Sequence, residues 1–152
     1  MALIYSPSMR NLMIGRGLLA NFSSPCAISV YSGTQPPSAD ITSTWSLYSQ
    51  PTSNFLAHFI GASWTQPSNG ILMQLTIPPT VAADHTGTAS WAILWTTNVS
   101  PATVAGATLP SSSFVVVACS DAVGPGVIRF VSTSITAATA VTILDGSIGA
   151  IF

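Results

Sequence analysis

The chain has 152 residues, 48% of them apolar and only 5% charged, with a net charge of −1. That length makes one domain able to bury roughly 70% of its unfolded surface, but the charge is far below the usual ~25% and excludes the ordinary dispersed monomer with its ~25–35% charged surface. Three scattered arginines and no lysine likewise exclude the basic face that displaces counterions from nucleic acid.

The first element in chain order is a helix. Ser6 is an N-cap with Pro7 at the first helical position, where its missing N–H is harmless. Met9, Leu12, Met13, Leu18 and Leu19 follow helical spacing, while Gly15 and Gly17 weaken the centre. Residues 1–22 are therefore expected as a short N-terminal helix or arm, and 23–152 as a single β-domain. Arg10 and Arg16 lie in that arm, and an arginine there could pair with an acidic group on a neighbouring subunit.

Ile28–Asp40, ISVYSGTQPPSAD, opens the domain. Ile28, Val30 and Ser32 alternate with Ser29 and Tyr31, the two-residue period of a half-buried strand. Gly33 ends the run, Pro36 and Pro37 block ladder pairing, and Ser38 and Asp40 cap a short helical turn over 41–48. Phe55–Ile60 is the next strand, with His58 facing away from Phe55, Ala57 and Phe59 by parity. Trp64 to Asn69-Gly70 reads as a loop, Ile71–Ile77 as a strand and Thr80–Thr86 as a linker. Gly87–Thr97 is a strand with Trp91, Ile93 and Trp95 on one face and Ala92 and Leu94 on the other, so both faces are expected to be covered. After the uncharged loop 98–113 come strands at Phe114–Cys119, Val127–Ser132 and Ala140–Leu144, the last ended by Asp145-Gly146. Such spacing argues an all-β sandwich, with the jelly roll as one candidate topology.

No apolar run reaches the ~18 residues of a membrane-spanning helix, the irregular strands fit a transmembrane barrel poorly, and no signal peptide is expected. Cys26 and Cys119 are expected as reduced thiols.

Chemistry is sparse. Asp84-His85 is the only acid–histidine neighbour pair, and Ser90 follows it in a chain rich in serine. Adjacency alone does not orient a base toward a nucleophile, so no catalytic residue is assigned. Two histidines without HxxxH or HExxH spacing, and four dispersed aspartates, give no zinc or calcium site. No phosphate-cradling glycine loop is present, and no cofactor is expected. Asn21-Phe-Ser and Asn98-Val-Ser match the glycosylation sequon by chance in so serine-rich a chain. The four tryptophans serve core packing more readily than sugar stacking. Trp64, in its predicted loop, is the exception and a candidate partner contact.

Arg10-Asn11 in the predicted helix, the SGTQPPSAD stretch, Gly87-Thr-Ala-Ser-Trp91 and Asp121-Ala122-Val123 together resemble a family of small structural proteins of tailed bacteriophages. The resemblance covers about a third of the chain, and Ser90 stands where a glycine is common. It implies a component of the virion, assembled in the host cytoplasm. The missing charge and the lysine-free strand edges add multivalent packing against other virion proteins and further copies of the chain. The expectation is a non-enzymatic capsid decoration or minor capsid protein, with a neck or tail component, or a tail-associated glycan-binding module using Trp64, as the alternatives. Arg10, Arg16, Trp64, Ile148 and Phe152 are the candidate contacts, the last two in an apolar C-terminal arm.

Overall fold

The computed structural model describes residues 4–5, 25–35, 55–65, 72–75, 80–96, 114–124 and 126–149, and these contain strands and turns with no helix. The predicted helix, the helical turn at 41–48, the Asn69-Gly70 turn and the loop 98–113 lie outside the described residues. The strands are β1 (Ile4–Tyr5), β2 (Cys26–Tyr31), β3 (Phe55–Ala62), β4 (Trp64–Thr65), β5 (Leu72–Leu75), β6 (Thr80–Ala82), β7 (Gly87–Thr88), β8 (Trp91–Trp95), β9 (Phe114–Asp121), β10 (Ile128–Phe130), β11 (Ser134–Ile135) and β12 (Ala140–Gly149). The all-β expectation holds.

One large sheet runs β3-β2-β8-β9-β10-β12-β5-β4, with β1 on β9 and β6 on β12. Two long strands carry it around. β9 pairs antiparallel with β8 through Phe114–Ala118, then parallel with β10 through Cys119–Asp121. β12 meets β6 with its first residues, β10 with its middle and β5 with its last. Past β6, the amides of Asp84 and His85 donate to the Leu56 carbonyl at 2.8 and 3.3 Å, so the chain leads back to β3 and nearly closes the sheet. Closure satisfies strand edges that charge does not protect here.

Inside the curl lies the main core. Ile28, Val30, Phe59, Leu94, Val117, Ile128, Phe130 and Ile143 alternate inward from their strands and pack together. Burying a side chain of this size stabilises by about 1.5–3 kcal/mol, so this inner layer holds the curl shut. Gly146 faces it at a position where a Cβ would stand 2.7 Å from Ile128 Cδ1.

Several elements depart from their predicted form. β2 is buried on both faces rather than one, and Gly33 then turns out of it at φ 85°, as glycine permits. In β3 the register shifts between Val30↔Ala57 and Tyr31↔Phe55. That bulge inserts one residue and reverses parity, so His58 shares a face with Phe55, ring centroids 6.4 Å apart, instead of opposing it. Trp64 sits in β4, paired with Leu75, rather than in a loop. The expected linker at Thr80–Thr86 contains β6, whose Val81 packs inward. Gly87–Thr97 breaks at Ala89-Ser90 into β7, paired with β11, and β8. β12 continues through Asp145-Gly146 instead of stopping there.

Candidate functional site

The outer face of β3, β2, β8 and β9 brings together Tyr31, Phe55, Trp91, Trp95 and Phe114. Tyr31 stacks on Trp91 with centroids 4.3 Å apart and planes 10° from parallel, and Trp95 lies against Phe114 at 5.3 Å. Ala27, Ile93 and Val116 complete the cluster, all buried. Within it the Trp95 indole Nε1 donates to Ser29 Oγ at 3.0 Å, and Ser29 Oγ lies 2.9 Å from His58 Nδ1. An indole nitrogen only donates, so Ser29 Oγ accepts there and its second hydrogen bond joins it to His58 Nδ1. Serine, histidine and tryptophan thus tie three neighbouring strands together in a buried layer.

This layer is structural rather than reactive. The Ser29 hydroxyl is 0% exposed and held between an indole and an imidazole. Burial pushes the Tyr31 phenol well above its ordinary range, the nearby Ser29 hydroxyl opposing it to a smaller extent. A neutral, enclosed phenol with stacked rings on its face adds packing, not acid–base chemistry.

The remaining sequence candidates separate. Asp84 is exposed. His85 Nδ1 is buried without a partner, and the Ser90 hydroxyl donates to the Gly33 carbonyl at 2.6 Å. No hydrogen bond joins the three into a relay. Both cysteines are free thiols. Burial raises Cys26 to about 11 against a weaker lowering by Trp64, and its Sγ donates to the Ala62 carbonyl at 3.1 Å. Burial also pushes Cys119 up. Thiols so far from the thiolate form are poor nucleophiles. Among the described residues no group of three or more His, Cys, Asp or Glu could hold a metal ion, and no helix is long and apolar enough to cross a membrane.

Two of the five candidate contacts are corrected. Trp64 is only 7% exposed and packs in the inner core, because hairpin pairing with β5 turns its indole inward. Ile148 is fully buried in β12, opposite Met73, and belongs to a central strand rather than a free arm. Arg10, Arg16 and Phe152 lie outside the described residues.

The exposed chemistry is on the opposite side, over β6, β12 and β10. There Arg129 donates to Asp145 through Nε at 2.6 Å and Nη2 at 2.5 Å, a bidentate fork that holds the guanidinium firmly charged. The two residues are register partners, Arg129↔Asp145, while Phe130 pairs with Ile143. The resulting bulge leaves Leu144 unpaired and 40% exposed beside the ion pair. Val131, which follows β10, is 67% exposed, and Thr80 and Thr142 hydrogen-bond across the strands at 3.0 Å. Ala82 opposes Ala140, both exposed. The face carries small side chains, two exposed aliphatics and one internally neutralised charge pair. Sequence reading missed it because Asp145-Gly146 looked like a turn. The signal available was Arg129 within a predicted strand, with Asp145 at the end of the next one.

No protein-family model, no curated protein and no solved structure matches the chain.

Proposed function

We propose that the chain is a non-enzymatic structural protein of a tailed-bacteriophage virion, acting as a capsid-associated decoration or minor capsid subunit present in multiple copies. One observation carries the reading: the outer face of β6, β10 and β12 exposes Thr, Ala, Val and Leu around a single ion pair. In a chain that is 5% charged and lacks lysine, such a face is suited to contact rather than to dispersal in water. The resemblance of SGTQPPSAD and its companion motifs to small phage structural proteins supplies the particle context. Repeated copies turn modest individual contacts into firm attachment. With Trp64 in the core, nothing in the described residues favours the glycan-binding alternative.

Quantitative mass spectrometry of purified particles, with image reconstruction of the same sample, tests this. The expected result is the chain at many copies per particle, with density on the capsid shell. Density confined to the neck or tail would move the subunit within the virion, and absence from purified particles would remove the reading.

A further inference from the structure

We infer that the outer face of β6, β12 and β10 is a two-fold, self-complementary contact through which a second copy of this chain docks, with Arg129 of each copy meeting Asp145 of the other. The inference rests on the multi-copy reading above and deepens it by naming the surface.

The charge pattern selects the occupant. Arg129 and Asp145 lie side by side on adjacent strands, and their fork uses Nε and Nη2. A guanidinium has five N–H donors and a carboxylate about four acceptor positions, so Nη1 and a lone pair on each carboxylate oxygen are not used by the fork. The side chains are 37% and 48% exposed. A positive and a negative group next to each other match their own image after a two-fold rotation, because each copy then sets plus against minus. The result is an alternating ring of two arginines and two aspartates, in which no charge is left without an opposite neighbour. A wholly acidic or basic partner would match only half of the pair and repel the rest.

The surroundings fit the same occupant. Ala82, Ala140, Thr80 and Thr142 are small and uncharged, so two sheets can approach to the ~10 Å spacing of face-to-face packing. Leu144 and Val131 flank the ion pair and give the contact apolar area, drying its centre so that the ring is less screened. An isolated exposed ion pair adds little to folding stability, which leaves recognition as the use of so well-formed a fork.

The test is a charge-swap mixing experiment on the full chain, read by sedimentation velocity. Arg129→Asp puts two carboxylates on each copy, and Asp145→Arg puts two guanidiniums there. Each variant alone is expected to self-associate about tenfold or more weakly than wild type, since like charges now face each other. An equimolar mixture of the two is expected to recover association, because each supplies what the other lacks. Val131→Asp leaves the fork intact and is expected to weaken association as well, which covers the case that charge reversal disturbs the bulge. Circular dichroism melts confirm that all three are folded. Variants that associate as wild type does, or a mixture of folded variants that stays monomeric, overturn the inference. The multi-copy reading survives those outcomes if wild type still associates. A wild-type chain that is monomeric at every concentration overturns the inference, while the multi-copy reading stands or falls separately on the copy number in purified particles.

Discussion

The outer side of β2, β8 and β9 and the outer side of β6, β10 and β12 belong to one curled sheet, yet they meet opposite fates. On the first, Trp95 is fully buried and Trp91 nearly so within the single subunit. On the second, Leu144 is 40% and Val131 67% exposed. Composition differs in the same sense: large aromatic rings and a Trp–Ser–His hydrogen-bond chain on one side, small residues and one ion pair on the other. A sheet must bury at least one face to be stable, and antiparallel sheets commonly leave the second to water. Here the second face is left to water by only a part of the sheet, and that part carries almost none of the charge that solvated surfaces normally bear.

The largest effect should come from the covered side. Trp95→Ala opens a cavity and removes an indole donor, and is expected to cost about 3–5 kcal/mol in urea unfolding. A smaller loss would mean that this layer is loosely packed and the contrast between the faces overstated. Next in size is Ser29→Ala, which removes the buried hydroxyl that hydrogen-bonds the Trp95 N–H and His58 Nδ1. About 1–3 kcal/mol should be lost, with Ser29→Thr losing less if the hydroxyl can be kept. Alkaline titration probes the layer beneath. The fold holds Cys26 near 11 against an ordinary 9.0, so the unfolded chain releases this proton first as pH rises. The stability it contributes is therefore complete below about pH 9 and declines toward pH 11. A Cys26→Ala variant should show a flatter pH dependence across that window in thermal melts.

On the open side the effects should be small, and one should be favourable. Ala138 holds φ at 61° in the turn before β12, a left-handed conformation that a Cβ disfavours. Ala138→Gly is expected to stabilise by up to about 1 kcal/mol, the relief of strain being partly offset by greater unfolded-state freedom. Leu144→Ser should change folding stability by no more than about 0.5 kcal/mol. If Leu144→Ser instead rivals Trp95→Ala in urea unfolding, the open face is part of the subunit core and the comparison fails.

How much of this could be read in advance depended on the length and regularity of each signal. β8 was legible because five consecutive buried residues alternate aromatic and aliphatic faces, and β9 because its apolar run is unbroken from Phe114 to Ala118. The short strands were not. β6, β7 and β11 have two or three residues each, too few for any period, and exist because partners distant in sequence pair with them. His58 does oppose Ala57 and Phe59 as parity requires, but Phe55 falls on the same face as His58 because the bulge between them is a pairing event that parity cannot anticipate. Asp145-Gly146 has turn chemistry, but Arg129 across the ladder and the tight space around Gly146 keep it extended. Tertiary demand overrode local preference at that point, and it is also where the open face carries its ion pair.

Hydroxyl-radical footprinting of the dilute subunit and of the assembled particle compares the two faces directly. Val131 and Leu144 should be oxidised readily in the dilute subunit and become strongly protected on assembly, while Trp95 stays unmodified in both. Equal modification of Val131 and Leu144 in the two samples would contradict the claim that this face is given over to a neighbour.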